Sequence, residues 1–220
     1  MHEIAHRLLV VAHGTASVQG RATTEALVAE ISARRAGTRV DLCFLDVVAP
    51  RLPDALDDTP TVLVPLLLST GFHVQTDIPA AVAGFPATVV ARHLGPHPLL
   101  IDVLVSRLGA LPSGGTVVLL GAGSTRSGAT VELSDAADLL GRRLHRDVAV
   151  ATMGGHLVLR LAALPQPVYV ASYLLAPGHF VDAARSAAGA DGYVSDPLGV
   201  HPALVDLVWV RYDEALGGVR

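Results

Sequence analysis

Apolar runs separated by polar, glycine-containing stretches recur along this chain at the spacing of alternating strands and helices. Arg7 to Ala12 (RLLVVA) reads as a strand buried on both faces, because nothing polar interrupts it after Arg7. Beyond a loop, Glu25, Leu27, Val28 and Ile31 fall at helical spacing and predict a helix over about 18–36. The pattern continues with a strand near 39–46, a short helix after Pro50, a strand over 61–67 and a helix after Gly71. A strand over 87–92 and a helix opened by Pro96 and running to Leu108 complete the series, and Gly109 to Gly115, rich in turn formers, reads as a linker. The same order then returns: strand 116–121, helix 127–145, strand 147–152, helix near 156–164, strand 166–172, helix 178–189, short strand 191–194 and helix 200–216. Such alternation predicts an α/β fold whose mostly parallel sheets are covered by helices on both faces.

Return of the order is matched by return of the residues. Residues 94–108 (LGPHPLLIDVLVSRL) and 198–212 (LGVHPALVDLVWVRY) share Leu, Gly, His, Pro, Leu, Asp and Arg in one register. LVPLLLSTGFHV (63–74) is echoed by YVASYLLAPGHFV (169–181), which sets His73 over His179. Two tandem lobes are expected, 1–110 and 114–220, each a four-stranded, mostly parallel sheet flanked by helices, with a cleft between them. In open α/β sheets ligands bind beyond the carboxyl ends of the strands. That rule selects His13, Asp46, Ser69 to His73, and Arg92 with His93 in the first copy.

Composition narrows the chemistry. Aromatic residues are only 4% of the chain, against 51% hydrophobic overall, a palette of Val- and Leu-rich strands under Ala-rich helices. No apolar run approaches the roughly 20 residues of a membrane span, and Met1-His2-Glu3 lacks the basic start of a signal peptide, so a cytoplasmic protein is expected. A net charge of −4 argues against a nucleic-acid partner. Since Cys43 is the one cysteine, metal chemistry would fall to carboxylates and to the ten histidines.

Comparing the copies sorts those histidines. His13, in Ala12-His13-Gly14, stands where the second copy has Gly121-Ala122-Gly123; alone it could equally hydrogen-bond a turn, but its absence from copy two favours chemistry. Asp46 closes the second strand where copy two has Thr152-Met153-Gly154; it reads as a site carboxylate or as a cap for the helix after Pro50. His73, after the third strand, is either a ligand or base or a structural turn residue. Two histidines with a carboxylate are a recurring ligand set for Fe(II), Co(II) and Zn(II). His97 and His201, present in both copies before Pro, read as turn formers; Asp102, Arg107, Asp206 and Arg211 read as architecture. Gly121 to Gly128 (GAGSTRSG) matches neither a P-loop nor G-x-G-x-x-G and reads as a decayed site loop.

The segments LLVVAHGT, FLDVVAP, VPLLLSTGFHVQTDIP and LGPHPLLIDVLVSRL, in this order, resemble the class II chelatases of tetrapyrrole metabolism, in particular the two-domain sirohydrochlorin chelatases. The second half matches more weakly, through APGHF and DPLGVHP. The resemblance implies a lyase that inserts Fe2+ or Co2+ into sirohydrochlorin for siroheme or cobalamin synthesis, needing no cofactor beyond the metal it inserts. His13 and His73 would bind metal and assist deprotonation, and Asp46 would take the place of the family's usual glutamate, one methylene shorter. By position, Thr15, Ser69, Thr70, Gly71, Arg51 and Arg92 would line the substrate, and Arg126 is a further rim residue. A non-catalytic tetrapyrrole or metal carrier, and a chelatase for another tetrapyrrole or Ni2+, are the alternative readings. A monomer or weak homodimer, with no nucleic-acid or membrane partner, is expected.

Overall fold

A computed structural model describes residues 6–154 and 156–217. Its first sheet has the order β2 (Val40–Phe44), β1 (Arg7–Ala12), β3 (Thr61–Pro65), β4 (Thr88–Val90); the second has β6 (Val148–Thr152), β5 (Thr116–Gly121), β7 (Val168–Tyr173), β8 (Tyr193–Val194). Every pairing within both sheets is parallel, so the expected mostly parallel lobes are present. The helices are α1 (Val18–Arg34), α2 (Leu52–Ala55), α3 (Ile78–Val82), α4 (Pro98–Leu108), α5 (Ser127–Leu144), α6 (Leu157–Ala162), α7 (His179–Ala188) and α8 (Pro202–Gly217). A π-helical turn, His73–Asp77, leads into α3.

Period-two alternation along β1 divides the interior. Leu8, Val10 and Ala12 face one cluster; Leu9 and Val11 face another, closed by Leu52 and Ile78 from α2 and α3. In the second sheet Val118 and Leu120 meet Leu157 and Leu161 of α6 on the outside, whereas Val117 and Leu119 turn inward. The inner faces of both sheets share one continuous core with α1, α4, α5 and α8. That middle layer is interlocked. α4, last helix of the first copy, packs on α5 and β7; α8, last helix of the second, packs on α1 and β3.

The residues repeated in the two copies hold this exchange. Arg107 of α4 donates to the carbonyls of Leu198 (2.8 Å) and Val200 (3.0 Å), and Arg211 of α8 donates to those of His93 and Leu94, both 3.0 Å. Asp102 pairs with Arg143 of α5, and Asp206 with Arg34 of α1. His97 and His201 each accept, through Nδ1, the backbone N–H two residues on (3.2 and 3.1 Å), so they cap α4 and α8. α4 therefore begins at Pro98, not at Pro96 as expected: residues 96 and 97 belong to the capped turn. Trp209 is buried at the crossing, where its indole N–H donates to Ile31 and the Arg35 guanidinium lies 4.4 Å from its ring. No helix among the described residues is long and apolar enough to cross a membrane.

Candidate active site

Two imidazoles meet at the carboxyl end of the first sheet. His13 follows β1, His73 opens the π-turn after β3, and their rings stand edge to face with centroids 4.8 Å apart. His13 is exposed and His73 half-buried. On each ring Nδ1 has an acceptor: the Gly14 carbonyl at 3.1 Å from His13, and the Asp77 carboxylate at 2.6 Å from His73. Carbonyls and ionised carboxylates only accept, so Nδ1 carries the proton in both neutral rings and Nε2 keeps its lone pair. Two lone-pair-bearing nitrogens are thus left for a metal or a proton.

Asp77, the partner of His73, is a residue that the motifs did not single out. Its spacing, four residues beyond His73 on a helical turn, is the one signal in the sequence that points to it.

Asp46 lies beside the pair without joining it as a ligand. Its Oδ1 accepts from the Val47 N–H at 2.7 Å and pairs with Arg51 at 3.1 Å. The Val47 N–H first, then Arg51 and the two imidazoles, hold this carboxyl below the usual carboxylate range. Among the described residues no three His, Cys, Asp or Glu side chains gather as a metal-ligand group. The two-histidine, one-carboxylate ligand set considered from the sequence is therefore not assembled. Asp46 instead supplies negative charge to the mouth of the site. Its loop is held tightly, for the Asp46 N–H donates to the His13 carbonyl at 2.8 Å. Gly14 permits this approach: at φ +96°, a Cβ there would lie 1.9 Å from the Asp46 carbonyl oxygen. Val47 has φ 65°, a costly setting for a β-branched residue.

The other expected residues divide. Thr15 Oγ1 accepts from the Ser17 N–H and shapes the turn into α1. Thr70 Oγ1 accepts from Gln75 Nε2. Ser69 and Gly71 lie on the same strand-to-helix segment, half-buried. Arg51 is drawn to Asp46, while Arg92 is exposed at the end of β4. Arg126, from the second lobe, lies 5.6 Å from the ring centroid of Phe72, which is half-exposed beside His73.

Hydrogen-bond register fixes how the copies correspond. Ala12 pairs with Phe44, and Gly121 with Thr152, so His13 matches Ala122 and Asp46 matches Gly154. For the third strands the sequence echo is one residue out. Gln75 N–H donates to Gly71 and Asp182 N–H to Gly178, which aligns those glycines and sets His73 over Phe180, not His179. His179 falls on Phe72 instead. The segments read Gly-Phe-His and Gly-His-Phe, so matching histidine to histidine slips the backbone by one position. All three of His13, Asp46 and His73 thus lack counterparts in the second lobe.

Residues 7–111 match the model of the CbiX family. The N-terminal lobe is a CbiX-family lobe. Among solved structures, the cobalt complex of the sirohydrochlorin chelatase SirB from Bacillus subtilis subspecies spizizenii is similar at a TM-score of 0.81 and 20% identity, over 96% of this chain and 94% of that one. SirB from Bacillus subtilis with Fe3+ gives 0.79 and 19%, over 96% and 95%. A CbiX described as the terminal enzyme for biosynthesis of siroheme in denitrifying bacteria gives 0.71 and 22%, over 96% and 99%. These likenesses show that the CbiX-family lobe and its partner share the two-lobe chelatase fold, and they support the resemblance read from the motifs. No curated protein sequence matches the chain.

Proposed function

We propose that this protein inserts a divalent metal, Fe2+ or Co2+, into a sirohydrochlorin-type tetrapyrrole lying in the cleft between the lobes. One observation carries the reading: two solvent-reaching imidazoles 4.8 Å apart, each with Nδ1 engaged and Nε2 free. Metal insertion exchanges two pyrrole N–H protons for one dication. The site therefore needs weak neutral ligands on one side of the ring and bases that titrate near neutrality, and imidazole serves both needs. Holding the ion by two side chains leaves its remaining positions to water and then to the ring nitrogens. As each metal–pyrrole bond forms, one imidazole would let go of the ion, and its freed Nε2 lone pair would accept the displaced pyrrole proton; Asp77 would then stabilise the imidazolium at His73. The Asp46 charge favours arrival of the cation. Exposed Arg92 and Arg126 would receive the carboxylates on the macrocycle rim.

The test is a side-by-side insertion assay with sirohydrochlorin and Fe2+, Co2+ or Ni2+, followed by visible absorbance. Turnover above the uncatalysed rate is expected with at least one of the first two metals. His13→Ala and His73→Ala should each lower it about 10²- to 10⁴-fold. Full activity in both variants with every metal overturns the site, and stoichiometric binding without turnover identifies a carrier instead.

A further inference from the structure

The segment bearing His73 is held from the lobe that lacks the histidines. Glu132, on α5, is largely buried between the lobes; its Oε2 accepts the Thr70 N–H, and His93 Nε2 lies 3.0 and 3.1 Å from its two oxygens. His93 is itself buried at the end of β4, and its backbone carbonyl accepts from Arg211 of α8. Two residues before Thr70, the Leu68 carbonyl accepts the Tyr173 hydroxyl, again from the second lobe.

The pseudo-equivalent contact elsewhere in the molecule shows what is special here. Aligning Gly14 with Gly123 and Gly71 with Gly178, and matching the Leu-Gly turns that follow β4 and β8, sets Glu132 over Thr23, Thr70 over Pro177 and His93 over Pro197. None of that second trio can reproduce the network, for the carboxylate, the N–H donor and the imidazole are all gone. A feature needed only to join the lobes would serve at both contacts. It is present only where the loop carries a site histidine.

We infer that Glu132 is a positioning residue for the site: its carboxylate, oriented by His93, anchors the Ser69–His73 segment through the Thr70 N–H and so sets the place of the His73 imidazole. The inference rests on the proposed metal-inserting role of His73, but its first readout does not depend on activity. Outer residues that orient metal ligands typically affect affinity or activity about ten- to a hundredfold.

Glu132→Ala, Glu132→Gln and Thr70→Pro test it. The amide of Glu132→Gln keeps an oxygen for the Thr70 N–H, and its NH2 can donate to a neutral His93 that moves its proton to Nδ1. Thr70→Pro removes the N–H together with the hydroxyl that accepts from Gln75, using the residue found at position 177, and Thr70→Ala, which loses the hydroxyl and keeps the N–H, is its control. Imidazole ¹⁵N–¹H spectra of the full-length protein should show His73 signals shifted or broadened in Glu132→Ala and Thr70→Pro, and restored towards the parent in Glu132→Gln. In the Co2+ insertion assay the same two variants should raise the metal KM about ten- to a hundredfold, with the tetrapyrrole KM little changed in Glu132→Ala. If Glu132→Ala does not fold, Thr70→Pro read against Thr70→Ala decides: the His73 signals should move in the first and stay in the second. Unchanged His73 signals in a folded Glu132→Ala or Thr70→Pro protein overturn the inference. Absence of insertion in the parent protein overturns the proposed function instead and leaves the spectra to judge Glu132.

Discussion

Each side chain at the site owes its usefulness to a neighbour that fixes it. His73 is oriented by Asp77, so Asp77→Asn should cost about ten- to a hundredfold in metal insertion while leaving the thermal transition nearly unchanged. An equal loss of stability and activity would instead make Asp77 a structural residue. Gly14 separates the His13 and Asp46 loops by the width of a missing Cβ. Gly14→Ala should therefore destabilise the fold by about 1–3 kcal/mol, read as a lower denaturant midpoint, and should lower activity by displacing His13. Cys43 is fully buried, and burial pushes its thiol up to about 12, so alkylation at pH 7 should proceed only as fast as the protein unfolds. His13 and Asp46 stood out in the sequence because a chain containing two copies supplies its own control. Asp77 was missed although its spacing was visible. Glu132 left no such trace, since it reaches Thr70 across 62 residues and from the other lobe.

At the scale of elements, periodicity placed every strand and helix, and tertiary contacts trimmed their ends. The strand expected over 39–46 stops at Phe44 because, after the last ladder bond from the Leu45 N–H to Ala12, the Asp46 N–H turns to the His13 carbonyl. The segment after Gly71 proved to be a π-turn before α3, a local unwinding that hydrophobic spacing does not reveal and that π-helical turns often mark at functional sites. The caps of α4 and α8 make a pH prediction. Burial, followed by the charge of Arg211 at His97 and of Arg107 at His201, lowers both imidazole pKa values below the ordinary 6.5. A capping Nδ1 must be unprotonated, and the unfolded chain binds protons more readily than these two sites. Their contribution is therefore complete above about pH 6.5 and fades as pH falls towards the lower folded-state values. Urea midpoints should drop with acidification through that window. The drop should be shallower in His97→Asn and His201→Asn, because asparagine caps without titrating. An unaltered slope in the double variant would remove the caps from the account.

For the molecule as a whole, the inner core is continuous across both lobes and each lobe's last helix lies in the other's half. Unfolding should then be a single event, with near-ultraviolet dichroism from Trp209 and far-ultraviolet dichroism losing signal at the same temperature. Separate transitions would mean that the lobes are independent after all. By the same reasoning residues 1–113 and 114–220 expressed alone should self-associate or remain unfolded, since each exposes a face made for the missing helix. The exchange also governs how a flat substrate can enter. Swinging the lobes apart would drag α4 and α8 out of the partner half's core, so any opening between them should keep a fixed width. If the proposed tetrapyrrole binds there, its admission and release would fall to the strand-end loops, and its thickness and edge would decide whether it is accepted.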